Sequence, residues 1–137
     1  MLTAKQISDY VDTHRDEAIA FLQEIVQTPS VTGDEEPVSF VFERKMKEAG
    51  LKVKRLEAKP HRPNLYAEWF GTQKGKRFVF NGHMDVFPPD DRDPGYFGPW
   101  SGKIEDGYLY GRGSCDMKGG DAGVMMAVLF LRKMGFD

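Results

Sequence analysis

Apolar residues recur at helical spacing along the first part of the chain. Ile7, Val11, Ala18, Phe21, Leu22, Ile25 and Val26 share one face with charges between them, which predicts an amphipathic helix from about Thr3 to Gln27. Thr28-Pro29 predicts its end, because the residue before a proline is pushed out of the helical region. After a loop at Ser30-Val31-Thr32-Gly33, a second helix runs to about Ala49, with Val38, Val41, Phe42 and Met46 inward and Gly50 as its stop. Its start has two readings: a capping box from Thr32 to Glu35, or Asp34 as N-cap. The period then falls to two. Leu51 and Val53 alternate with Lys52 and Lys54 in an edge or half-exposed strand reaching Leu56. Pro60 and Pro63 frame a loop, and Asn64 to Phe70 alternates as a second strand. Arg77 to Phe80 is continuous and apolar, as in a strand covered on both faces. A short strand at Tyr108-Leu109-Tyr110 follows. The last element is a helix from Lys118 to Met134, with Val124, Ala127, Val128, Leu131 and Met134 as its buried stripe.

This order of elements is that of an α/β protein. A helix after a strand normally carries the chain back to the sheet, and no strand follows Met134. The expectation is therefore the front part of a longer protein. The alternative is that the last helix packs on earlier strands alone. A net charge of −2 offers no basic footprint for nucleic acid or an anionic membrane. The single cysteine, Cys115, has no partner for an internal disulfide, which suits a reducing cytoplasm. The N-terminus lacks the apolar run of a secretory signal, and the longest apolar stretch is too short to span a bilayer.

The candidate chemistry lies between Phe78 and Gly123. His83 and Asp85 are two apart, so in an extended chain they face the same way. An imidazole beside a carboxylate suits a metal ligand with a carboxylate that fixes its tautomer, or equally a general base with an orienting acid. Asp116 follows the turn Gly111-Arg112-Gly113 and approaches a helix. By itself it reads as an N-cap, and together with His83 and Asp85 it reads as a third oxygen donor of a site for zinc, manganese or cobalt. A phosphate loop is a poor fit, because Asp116 stands where the third glycine of the dinucleotide pattern belongs. Cys115 with His83 and Asp85 is a weaker alternative, a thiol nucleophile. His14 and His61 read as solvated, the Asp90, Asp91 and Asp93 loop as a solvated turn, and Trp69 and Trp100 as packing residues.

These motifs resemble a known family. Gly82-His83-Met84-Asp85-Val86 followed by Pro88 is similar to the first metal-site motif of the zinc-dependent amidohydrolases and exopeptidases, which include aminoacylase, acetylornithine deacetylase, succinyl-diaminopimelate desuccinylase and carnosinase-type dipeptidases. The run from Ile104 to Gly120, with Gly111-Arg112-Gly113-Ser114-Cys115-Asp116-Met117-Lys118-Gly119-Gly120 at its heart, is similar to the second. Looser matches at Thr28 to Gly33, Gly50 and Arg62-Pro63-Asn64-Leu65 come in the expected order.

The resemblance implies a three-layer α/β sandwich, a mixed sheet with helices on both faces, present here only in part. It implies that residues 1–137 are the N-terminal portion of the catalytic metal-binding domain, without the lid and dimerisation domain. His83 would bind one metal of a two-zinc site, Asp116 would bridge both through a residue joined by a cis bond to Met117, and Asp85 would support His83 in catalysis. The implied reaction is metal-dependent hydrolysis of an amide in an N-acyl amino acid or small peptide, in a cytoplasmic parent that is a homodimer. The family's general-base glutamate, remaining carboxylate ligand and second histidine lie downstream of Met134. The expectation for these 137 residues alone is no amide hydrolysis, and the competing reading is a non-catalytic binding or regulatory protein.

Overall fold

The computed structural model describes residues 2–72, 75–90 and 97–137. The expected first helix is two helices. α1 (Ala4–Thr13) opens with Thr3, whose hydroxyl accepts from the Gln6 backbone while the Gln6 side chain returns to the Thr3 N–H. The chain leaves helical geometry at His14, whose ring stacks on Tyr10 at 3.9 Å and meets Phe130. His14 is thus half-buried rather than solvated, and this packing accompanies the break. α2 (Arg15–Gln27) buries Phe21, Ile25 and Val26 and stops at Thr28, before the proline, as expected.

α3 (Glu36–Glu48) buries Val38 and Phe42, and Gly50 takes the left-handed conformation that ends it. Neither expected cap forms. Helix α3 is preceded by Glu35, with Pro37 in its first turn and no side-chain cap. Thr32 and Glu35 are engaged elsewhere: Thr32 donates to Asp85, and Glu35 accepts three hydrogen bonds from Arg62 at 2.7–3.0 Å.

β1 (Lys52–Lys59) and β2 (Arg62–Glu68) pair antiparallel, Val53 opposite Ala67. What reads as a proline-framed loop is a tight turn at Pro60-His61, with His61 left-handed at φ 61° and Pro63 inside the strand. β3 (Lys103–Glu105) and β4 (Tyr108–Tyr110) form a second hairpin about Asp106-Gly107, both at positive φ. A parallel bridge joins Val31 to Val86. Phe78, Val79 and Phe80 pair with no strand among the described residues and are 81, 78 and 51% exposed.

α4 (Gly119–Lys133) closes the core. Its buried face is Ala122, Met125, Met126, Leu129 and Phe130, packed with Phe21, Ile25, Val38 and Phe42. Of the expected stripe, Val124, Val128 and Leu131 are half-buried and Ala127 is exposed, with Val128 packing at the edge of this core. The helix is apolar nearly all round, so periodicity alone did not select the buried face. The α/β class is as expected. Its β structure among the described residues is two antiparallel hairpins and one parallel bridge.

Candidate functional site

His83 and Asp116 come from separate segments and meet at their tips, His83 Nε2 lying 3.1 Å from Asp116 Oδ1. His83 is carried by an extended stretch whose N–H donates to the Met117 sulfur at 3.4 Å. Gly82 is required there, because a Cβ would fall 2.0 Å from Asp121 Oδ1. The far side of the ring faces Asp85 twice. Nδ1 lies 3.0 Å from its carbonyl oxygen and 3.3 Å from its carboxylate Oδ1. The hydrogen bond to the Asp85 carbonyl, then that to the Asp116 carboxylate, raise the His83 pKa against the opposing effect of burial.

Asp116 sits in a single wide turn, Ser114–Lys118, closed by a bond from the Lys118 N–H to the Gly113 carbonyl at 2.9 Å. The Asp116–Met117 peptide bond is cis. Asp116 does not cap α4, which has no side-chain cap, and its carboxylate is 83% exposed. Gly113 is left-handed at φ 79°, and a Cβ there would meet Val86 at 2.3 Å, so the turn needs a glycine to lie against the His83 segment.

Two anchors hold these arms. Residues 30–32 clamp residues 84–86: the Val86 N–H donates to the Ser30 carbonyl at 2.9 Å and the Thr32 N–H to the Val86 carbonyl at 3.1 Å. The Ser30 hydroxyl, fully buried, donates to the Met84 carbonyl at 2.8 Å. Lys118, also fully buried, donates to the Ile25 carbonyl at 2.6 Å and the Thr28 carbonyl at 2.8 Å, satisfying acceptors at the end of α2. Burial lowers its pKa to about 8.

The pair opens on a cleft of about 690 Å³ lined by Phe87, Phe97, Tyr110, Cys115 and both tips of the pair. Two residues that sequence reasoning passed over matter here. Thr32 donates to Asp85 Oδ2 at 2.7 Å, a link invisible along the sequence because the two are 53 positions apart. Asp121 is half-buried with Oδ2 unpaired, and burial raises its pKa to about 6. Cys115 is exposed in the cleft. Asp91 and Asp93 of the acidic loop lie outside the described residues. Trp69 packs against Phe136 and Arg132, and Trp100 lies over Lys118.

The donor set can be tested against a metal. Two ligands at about 2.0–2.1 Å from one tetrahedral zinc stand about 3.3 Å apart, close to the observed 3.1 Å. A neutral imidazole and a carboxylate suit zinc, cobalt or manganese. The His83–Asp116 pair therefore fits two positions of such an ion. No group of three His, Cys, Asp or Glu side chains converges among the described residues.

The fold defines a class first. It superposes on the crystal structure of human carnosine dipeptidase 1 with a TM-score of 0.85 at 28% identity, over 97% of this chain and 32% of that one. The two share one α/β architecture over that stretch. Residues 79–137 match the model of peptidase family M20/M25/M40. Succinyl-diaminopimelate desuccinylase of Methylorubrum populi is 46% identical over 125 residues, 87% of this chain and 32% of that protein. The enzyme of the same name from Cereibacter sphaeroides is 38% identical over 111 residues, 81% and 29% respectively. The chain thus spans about a third of the length of the curated relatives it matches.

Proposed function

We propose that this chain is the N-terminal portion of the catalytic domain of a metal-dependent amide hydrolase, with His83 and Asp116 as metal ligands and Asp85 orienting His83. The observation that carries the reading is the tip-to-tip approach of His83 Nε2 and Asp116 Oδ1, with Asp85 behind Nδ1. Zinc, or cobalt or manganese in its place, would supply Lewis-acid activation of a water and of the amide carbonyl. The chain's own residues do the rest. Asp85 holds the Nδ1 proton on the ring, which leaves the Nε2 lone pair toward the metal. The bond from the Thr32 hydroxyl keeps that carboxylate occupied. The names of the relatives point to an N-succinylated amino acid or a dipeptide as substrate. A homodimeric cytoplasmic parent completes the proposal.

A catalytic zinc needs about three protein ligands, and two are in hand. The remaining ligands and the general base then come from outside these residues, and the 137-residue chain by itself does not turn over substrate. Zinc titration tests the site. His83→Ala and Asp116→Ala abolish binding, whereas Cys115→Ser leaves it intact. Unchanged affinity in Asp116→Ala, or turnover by the isolated chain that Cys115→Ser removes, would overturn the reading in favour of a thiol nucleophile.

A further inference from the structure

Asp85 has two carboxylate oxygens, and each faces a different polar side chain. Oδ1 faces His83 Nδ1 at 3.3 Å, and Oδ2 accepts from the Thr32 hydroxyl at 2.7 Å. Among the described residues, Thr32 supplies the hydrogen bond to the outer oxygen of Asp85, and that bond sets the rotation of the carboxylate plane. Thr32 is itself fixed, because its N–H is tied to the Val86 carbonyl next to Asp85. Its side chain is exposed to solvent and takes no part in the core.

We propose that Thr32 is a positioning residue of the metal site: its hydroxyl selects the orientation of Asp85 that supports His83. The proposal rests on the metal-site reading above. A chain of hydroxyl, carboxylate and imidazole then runs from the loop after α2 to the face on which the metal would sit. The side chain one step further out than a ligand's direct partner has a smaller effect than that partner. Direct partners are worth about 10- to 100-fold in metal affinity, and Thr32 is accordingly worth about 3- to 10-fold.

The experiment is a zinc titration against a chromophoric chelator, with thermal melts alongside, on the whole chain and its Thr32→Val, Thr32→Ser, Asp85→Ala and His83→Ala variants. Thr32→Val weakens zinc binding about 3- to 10-fold with a melting curve close to wild type. Thr32→Ser, which keeps the hydroxyl, restores affinity to within about 2-fold, a rescue that lost packing would not give. In the Asp85→Ala background the Thr32→Val change costs nothing further, because the group it positions is gone. If Thr32→Val does not fold, Thr32→Ala carries the same comparison. Wild-type affinity in Thr32→Val, or an undiminished effect in the Asp85→Ala background, overturns the role of Thr32 while His83→Ala still shows a metal site. Equal affinity of wild type and His83→Ala overturns the metal site itself, and the role of Thr32 with it.

Discussion

Asp121 carries a cost that one atom can remove. Its carboxylate is wedged at Gly82, with Oδ2 buried and unpaired. Burial raises its pKa from the ordinary 3.8 to about 6, and the positive charges of His83 and Lys118 pull the other way without cancelling the effect. The folded protein thus holds a proton that the unfolded chain has released between about pH 4 and pH 6. Stability falls as pH rises through that window, and above it the full cost persists. A gap of about two pH units corresponds to about 3 kcal/mol at 1.36 kcal/mol per unit, an upper bound because the side chain keeps some contact with water. Asp121→Asn has the same shape and no charge. At pH 7 it should stabilise the chain by about 1–2 kcal/mol, a rise in melting temperature of roughly 3–10 °C. At pH 4 wild type and variant should melt together. The assay is thermal unfolding followed by circular dichroism at both pH values. A variant that is no more stable at pH 7, or one whose advantage is as large at pH 4, refutes the account.

Lys118→Met leaves the Ile25 and Thr28 carbonyls without their donor. Because the folded pKa is lowered to about 8 from 10.5, the unfolded chain binds more protons between those values, so wild type should gain on the variant by at most about 3 kcal/mol as pH rises through that range, read by urea unfolding. Exposed Phe78, Val79 and Phe80, with Phe87 at 81%, form apolar surface that promotes association. Sedimentation velocity should show concentration-dependent self-association that Phe78→Ser with Phe80→Ser reduces. A monodisperse wild-type monomer with one sharp thermal transition contradicts this.

The ends of elements were legible where the signal is chemical and local. Pro29 ends α2 and Gly50 ends α3, because each acts on its own backbone. The hairpin at Asp106-Gly107 is marked by its turn residues flanked by Ile104 and Leu109, although only its second strand, Tyr108 to Tyr110, is among the expected elements. The buried face of α4 was not readable, since Leu129 and Leu131 differ in surroundings and not in kind. Arg77 to Phe80 has the composition of a covered strand and has no pairing partner among the described residues. For the site, the motifs led to His83, Asp85 and Asp116, and their meeting is seen only in three dimensions. Thr32 and Glu35 show the limit most clearly. At a spacing of three they spell a helix cap, and long-range partners, Asp85 and Arg62, take both side chains away from it.

The loop after α2 serves as a shared datum. Thr28 receives Lys118 from the Asp116 arm, while Ser30 and Thr32 hold Met84, Asp85 and Val86 of the His83 arm. The Asp116 arm has a second hold one turn earlier, on Ile25 inside α2. The end of α2 and the five residues after it are thus the common support from which both halves of the candidate site hang, although the halves lie more than thirty positions apart in the chain.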